Sequence, residues 1–199
     1  MNSLKPATRI TTTVAAIIAC ITTFHSIAAA PLGPKVDDFN DPKKNSLGID
    51  RQFFDDSSMG GKSKATSAFK KGVLNVKGQL IPLRGQPAWA STVLLLDPQG
   101  RPQDLTRYTG IRLMVRVNKG NLSLSANSSE VTNFDYHASP VTHKRDGKFH
   151  EIKIPFNKMK RAWSAQTKLN TKTIASLSLV AFDIQKGSFD FEFDEVSFY

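Results

Sequence analysis

The stretch from Asp55 to Thr66 concentrates side chains that could bind a ligand. It places two adjacent acids beside several hydroxyl groups and the glycine pair Gly60–Gly61. Glycine allows a positive φ and the close approach of another group, while Asp and Ser side chains bond to nearby backbone N–H groups and hold turns. The stretch is therefore either a ligand-facing corner of a β-structure or a turn that leads into a strand.

Six further residues have side chains that could contact a sugar. An indole ring can stack on a sugar face, and arginine and carboxylate groups can bond to hydroxyls at two points. Each also has a structural interpretation, because an aromatic ring can fill the core and a charged group can lie solvated on an outer face. The four charged or imidazole side chains would line one groove only if their strands share a sheet. The candidates are Trp89, Arg112, Arg116, Asp135, His137 and Trp163.

Catalysis finds little support in the residue types and their spacing. Asp55 and Asp56 are sequence neighbours that point to opposite sides of an extended chain, whereas a glycosidase needs two carboxylates that face each other across a cleft. The histidines form no i, i+4 pair for zinc, and the sequence has no Gly-x-Ser-x-Gly elbow or phosphate-binding loop. We predict a binding protein that is not an enzyme.

The first 30 residues have the composition of a secretory leader. Basic residues precede a mostly apolar run, no acid occurs, and small residues follow as a cleavage site. We predict a signal peptide over residues 1–28, a linker over residues 29–35, and a periplasmic or secreted mature protein without a membrane span. The alternatives are a lipoprotein anchored through Cys20, which is the only cysteine, and a mitochondrial transit peptide.

The chain is basic, with 27 Lys and Arg against 17 Asp and Glu and a formal net charge of +10. Removal of the leader, which holds two of the basic residues and no acid, leaves +8. The basic residues are scattered in small clusters, which is typical of solvated loops, although they could also attract an anionic surface or polysaccharide. Because no nucleic-acid-binding motif occurs, we expect no nucleic-acid partner.

The remaining chain has the pattern of an all-β protein. Apolar and polar residues alternate in short segments separated by turn residues, which indicates strands with one buried face. The alternation slips by one residue near the C terminus, which predicts a β-bulge at Asp194–Glu195, and Arg145–Lys148 has the composition of a hairpin turn. We predict one antiparallel β-sandwich over residues 36–199, with strands in segments 73–78, 89–96, 111–118, 122–125, 134–139, 152–156, 177–184 and 189–198.

Several motifs follow one another in a consistent order. In the first of them, Asp56-Ser57-Ser58-Met59-Gly60-Gly61-Lys62-Ser63, the recognisable residues are Asp56, Met59, Gly60, Gly61 and Ser63. Further motifs lie at Asp104–Leu113, Ile154–Phe156 and Gly187–Phe191. The ordered set resembles the complex I intermediate-associated protein 30 family. The opening Val36-Asp37-Asp38-Phe39 resembles that of family 11 carbohydrate-binding modules. Both resemblances imply a galactose-binding-like jelly roll.

The resemblances imply two functions of different classes. The first family is tied to mitochondrial complex I assembly as a chaperone-like factor, whereas a carbohydrate-module opening behind a secretory leader favours glycan binding. An exported protein does not meet the arms of complex I, so we expect an exported protein that binds a carbohydrate or another cell-envelope ligand. The alternative is a protein-binding assembly factor. Fold alone does not decide between them.

A structural calcium ion is a further implication of the resemblance, because galactose-binding-like sandwiches often carry one. Asp38 and Asn40 near the start and Asp194 near the end would supply oxygen ligands, which calcium prefers, if the terminal strands pair. We expect no other cofactor.

Overall fold

The structure is a computed structural model that describes residues 31–83 and 85–199; the predicted signal peptide and Cys20 lie outside the described residues. In chain order the strands are β1 (Lys35–Asp37), β2 (Gln52–Asp55), β3 (Lys64–Lys70), β4 (Val73–Leu80), β5 (Ala88–Leu95), β6 (Gly110–Lys119), β7 (Leu122–Ser128), β8 (His137–Pro140), β9 (His150–Pro155), β10 (Lys160–Arg161), β11 (Ile174–Asp183) and β12 (Gly187–Phe198), with short 3₁₀ helices at Asp56–Met59 and Phe156–Lys158.

The strands form two antiparallel sheets. Sheet I has the order β3-β4-β12-β6-β9, and β1 pairs with the C-terminal end of β12. Sheet II has the order β10-β8-β7-β11-β5-β2. The inner faces of the two sheets enclose one apolar core, which confirms the predicted antiparallel β-sandwich. Within residues 31–83 and 85–199, no helix has the length and apolar character needed to span a bilayer.

Strand β12 supplies the centre of the core. Phe189, Phe191 and Phe193 are fully buried along one face of this strand. The pairing of β12 with β6 then shifts register between Phe193 and Glu195. One extra residue reverses the parity of the strand, so Val196 and Phe198 also face inward. The predicted bulge is confirmed.

Two local predictions were wrong. Strand β8 begins at His137 and not at Phe134; Phe134 precedes it in a left-handed conformation with a φ of 61°, and its side chain is 93% exposed.

 The turn at Arg145–Lys148 does not form a hairpin, because β8 pairs with β7 and β10 in sheet II while β9 pairs with β6 in sheet I. The turn therefore carries the chain from one sheet to the other.

Candidate functional site

Three aromatic side chains lie together on the outer face of sheet II. Trp89 on β5 is directly opposite Phe182 on β11, and Phe54 on β2 is opposite Ser91, two residues along β5 from Trp89. Residues next to them in sequence, such as Ala90 and Ala181, are buried in the core, so the three rings point away from it. Phe54 is 47% exposed and Phe182 37% exposed. Directly opposite residues on neighbouring strands have Cβ atoms about 5 Å apart, so the rings of Trp89 and Phe182 are neighbours. We call Phe54, Trp89 and Phe182 the aromatic row.

Small polar side chains share the rest of this face with the aliphatic residues Val93, Leu95 and Val180. Asn127 donates hydrogen bonds from Nδ2 to the Oγ atoms of Ser176 (2.9 Å) and Ser178 (2.8 Å). Ser125, opposite Ser178, is buried and its Oγ has no partner among the described residues. Ser125, Ser176 and Ser178 are buried, whereas Ser91, Ser123 and Asn127 are partly exposed. The partly exposed groups donate and accept hydrogen bonds as sugar hydroxyls do. We call this group the serine patch: Ser91, Ser123, Ser125, Asn127, Ser176 and Ser178.

The Asp56–Ser63 motif positions Trp89 of the aromatic row. The buried carboxylate of Asp56 accepts hydrogen bonds from the backbone N–H (2.9 Å) and hydroxyl (2.6 Å) of Ser63 and from the backbone N–H of Trp89 (3.3 Å). Ser63 Oγ in turn accepts from the N–H of Ile81 (3.0 Å). The Asp56 carboxylate therefore connects the glycine corner to strand β5 at Trp89.

The glycine pair of the motif makes room for that carboxylate. Gly60 has a φ of 82° at the end of the 3₁₀ turn, a conformation that favours glycine. A Cβ on Gly61 would lie 2.1 Å from Asp56 Oδ1, so a side chain there would displace the acid. Exposed Met59, the two glycines and Trp89 line a groove of about 430 Å³ beside the aromatic row.

The two candidate arginines lie on the other sheet. Arg112 and Arg116 are on β6 of sheet I, and their guanidinium groups form ion pairs with Glu195 and Glu192 respectively. Arg112 also pairs with Glu151 at 3.1 Å. These charges are largely neutralised by their neighbours, which supports the solvated outer-face interpretation.

Asp135 and His137 are buried at the edge of sheet II. Asp135 accepts hydrogen bonds from Arg161 Nε (2.8 Å) and from the backbone N–H groups of Ala162 and Ser164 (both 3.0 Å). His137 Nε2 lies 3.0 Å from the carbonyl oxygen of Thr167. Both side chains hold the loop that follows β10, and the structure does not bring them together with the arginines of sheet I in one groove.

The ionisation of Asp135 follows from these contacts. Burial opposes its negative charge, but the hydrogen bonds from Arg161, Ser164 and the backbone N–H of Tyr136 outweigh burial and lower the pKa of Asp135 well below its usual range. The same loop carries Trp163, which is 61% exposed and packs edge-on against Tyr136 with ring centroids 5.2 Å apart.

Asp38, one of the three residues suggested for calcium, has other partners. The terminal strands do pair, with Asp37 opposite Val196. Asp38, however, pairs with Lys35 at 3.2 Å and accepts a hydrogen bond from the N–H of Asn40, while Asp194 is exposed on β12. Among the residues that the structure describes, no three His, Cys, Asp or Glu side chains are grouped so that they could hold a metal ion.

A comparison with models of known protein families identifies the family of this chain. The model of the complex I intermediate-associated protein 30 family matches residues 38–193, which include the whole Asp56–Ser63 motif. The chain belongs to this family. No sequence in a curated set of proteins matched it.

Solved structures show the same jelly-roll fold as this family member. The family 11 carbohydrate-binding module of the cellulase Lic26A-Cel5E of Clostridium thermocellum has 17% identity and a TM-score of 0.57, covering 85% of this chain and 95% of the module. That module in complex with a β-1,3-1,4-mixed-linked tetrasaccharide has 17% identity and a TM-score of 0.55, covering 85% and 96%. The agarase AgWH50C has 9% identity and a TM-score of 0.56, covering 82% of this chain but 24% of the agarase.

Alanine variants of the adjacent acids Asp55 and Asp56 test whether the buried carboxylate of the motif stabilises the fold. We expect Asp56→Ala to lower the free energy of unfolding by about 2–3 kcal/mol, because it leaves the buried N–H groups of Ser63 and Trp89 without an acceptor. Asp55→Ala is the matched control: Asp55 only caps the 3₁₀ turn through Ser57, so we expect a loss of about 1 kcal/mol or less. Urea denaturation measures both, and equal losses would contradict the role assigned to Asp56.

Sequence reasoning found Trp89 but missed its two companions. Phe182 lies in the largely apolar segment 177–184, where no alternation marks the outward positions. Phe54 precedes the motif in a segment that was not predicted as a strand. The alternation of Ser123 and Ser125 with Leu122 and Leu124 was the one signal for the serine patch.

Proposed function

We propose that this protein is an exported, non-catalytic binding protein that holds a carbohydrate on the outer face of sheet II. The observation that carries the proposal is the aromatic row beside the serine patch. Aromatic rings provide flat apolar surfaces on which a sugar ring can stack. The hydroxyl and amide groups beside them provide donors and acceptors for sugar hydroxyls.

The charge of this face favours a neutral ligand. The aromatic row and the serine patch contain no ionisable side chain, and the exposed Lys160 on the same face lies two strands away from Ser125. An acidic sugar held on the row and the patch would therefore lose hydration without gaining an ion pair from them. A neutral β-glucan fits this chemistry, and the structurally similar family 11 module has been solved with a mixed-linked β-glucan tetrasaccharide. We therefore propose a neutral β-linked glucan as the ligand class.

Isothermal titration of the mature protein with β-1,3-1,4-linked glucan oligosaccharides tests this function. We expect saturable binding that depends little on salt, because the contacts involve no charge. Cellulose and mannan oligosaccharides serve as comparison ligands. The absence of binding to any neutral glycan on an array at high protein concentration would contradict the proposal.

The mass of the mature N terminus tests export, for which we expect cleavage after Ala28 and not a lipid on Cys20.

A protein-binding assembly role is the second candidate, and family membership favours it. Exposed aromatic side chains offer a surface for a protein partner at the loops around Phe134 and Trp163. Co-purification from envelope or mitochondrial fractions tests this role. We expect Phe134→Asn to remove the partner, since asparagine tolerates the positive φ of this position, and to leave glycan binding unchanged. Unchanged co-purification would contradict the role of this surface.

A further inference from the structure

Four lysines surround a groove on the outer face of sheet I, away from the aromatic row. The groove has a volume of about 620 Å³. The strand register places Lys77 of β4 opposite Asp190 of β12, which is in turn opposite Lys119 of β6. Lys64 on β3 and Lys62 just before it complete the rim. We call Lys62, Lys64, Lys77 and Lys119 the lysine groove.

One acid lines this groove beside four lysines, so its net charge stays positive. All four lysines are exposed, and none forms an ion pair with another described residue. Asp190 is the one acid among the lining residues, and its carboxylate accepts a hydrogen bond from Asn75 Nδ2 at 2.7 Å. The arginines of the same sheet differ, because glutamates pair with them.

Uncharged polar side chains alternate with the lysines. Thr66 is opposite Lys77, and Gln79 is opposite Lys64, so a hydroxyl and an amide lie beside the ammonium groups. Such groups bond to hydroxyls. A ligand that carries both hydroxyls and negative charges would satisfy the two kinds of side chain together.

The spacing of the lysines indicates the size of the ligand. Lys77 and Lys119 are on strands separated by β12, so their backbones lie roughly 10 Å apart. Ammonium groups spread along the rim on three strands match a chain with repeated negative charges, which can contact all of them at once. Phe189, the one aromatic residue in the lining, is buried, so nucleic-acid bases would find no ring on which to stack.

We propose that the lysine groove binds the carboxylate groups of an acidic polysaccharide composed of uronic acid residues. The ammonium groups neutralise the carboxylates, and Thr66 and Gln79 bond to the sugar hydroxyls. This second site is independent of the neutral glycan proposed for sheet II. The protein would then connect a neutral polysaccharide and an acidic one through its two outer faces.

The test compares polygalacturonate with its methyl ester, which has the same backbone without the charge. We expect binding to polygalacturonate that weakens steeply with salt, and little binding to the ester. The double variant K77Q/K119Q should weaken binding about tenfold, a typical loss for two exposed charge contacts. The control K168Q/K172Q removes the same charge from exposed positions near sheet II and should retain binding.

Three results would overturn the proposal: equal binding to the ester, equal losses in the two double variants, or tighter binding to duplex DNA or anionic vesicles at the same salt concentration. Titration of the same variants with a neutral β-glucan separates the two sites. K77Q/K119Q should leave that binding unchanged, so failure of the lysine groove does not resemble failure of the aromatic row.

Discussion

Replacing Trp89 or Phe182 with alanine should weaken binding of a β-glucan oligosaccharide about thirtyfold. The two rings are directly opposite each other on neighbouring strands and form the largest apolar surface of the aromatic row. Truncating a central aromatic contact typically costs at least about 2 kcal/mol of binding free energy, which corresponds to about thirtyfold in affinity. Isothermal titration with the oligosaccharide measures the loss, and circular dichroism checks that the variants fold.

Strand β2 provides a matched pair of controls for this prediction. Phe54 belongs to the aromatic row, whereas Phe53 points to the opposite side, facing Thr92, and is 42% exposed. Phe54→Ala should therefore weaken binding and Phe53→Ala should not. The proposed site would be wrong if Arg116→Ala on sheet I weakened binding of the neutral glycan more than Trp89→Ala.

Replacing Asp135 with asparagine should lower the free energy of unfolding by about 3 kcal/mol at neutral pH. The variant removes the buried negative charge that pairs with Arg161 and puts an amide NH2 in place of one oxygen that accepts hydrogen bonds, and disruption of such a buried pair is costly. Asp104→Asn is the control, because Asp104 is exposed and bonds only to Thr106; we expect a change of about 0.5 kcal/mol. Chemical denaturation measures both variants.

The difference between wild type and Asp135→Asn should depend on pH. The folded-state pKa of Asp135 is lowered, so its ionisation stabilises the fold above the unfolded pKa of about 3.9 and this contribution is lost as the pH falls. The stability difference should therefore be constant from pH 5 to 8 and should narrow below about pH 4. A difference that stays constant down to pH 2 would contradict the charged contact.

Local pattern predicted much of the fold. The alternation along β12 and its slip by one residue predicted both the buried phenylalanines and the bulge beside Glu195. These features depend on which side of one strand is apolar, and a sequence records that directly. The ordered motifs also predicted the family, because the sequence of the Asp56–Ser63 corner is recognisable without knowledge of its contacts.

Sequence reasoning predicted Trp89 of the candidate site and missed Phe54 and Phe182. Trp89 was chosen for its chemistry, but its partners come from strands distant in sequence: Phe182 lies opposite it across β5 and β11. Arg116 and Asp135 have equally suitable chemistry, yet one is on sheet I and the other holds a loop at the edge of sheet II. Side-chain type does not record which strands share a sheet.

The sequence by itself determined that Asp55 to Thr66 forms a glycine corner of a β-sandwich of this family. Only the tertiary structure decided what the corner does. Asp56 turns inward to bond with Ser63 and with the backbone of Trp89, 33 residues away, while Asp55 stays at the surface. A buried carboxylate needs donors that surround it, and those donors come together only when the sheets pack.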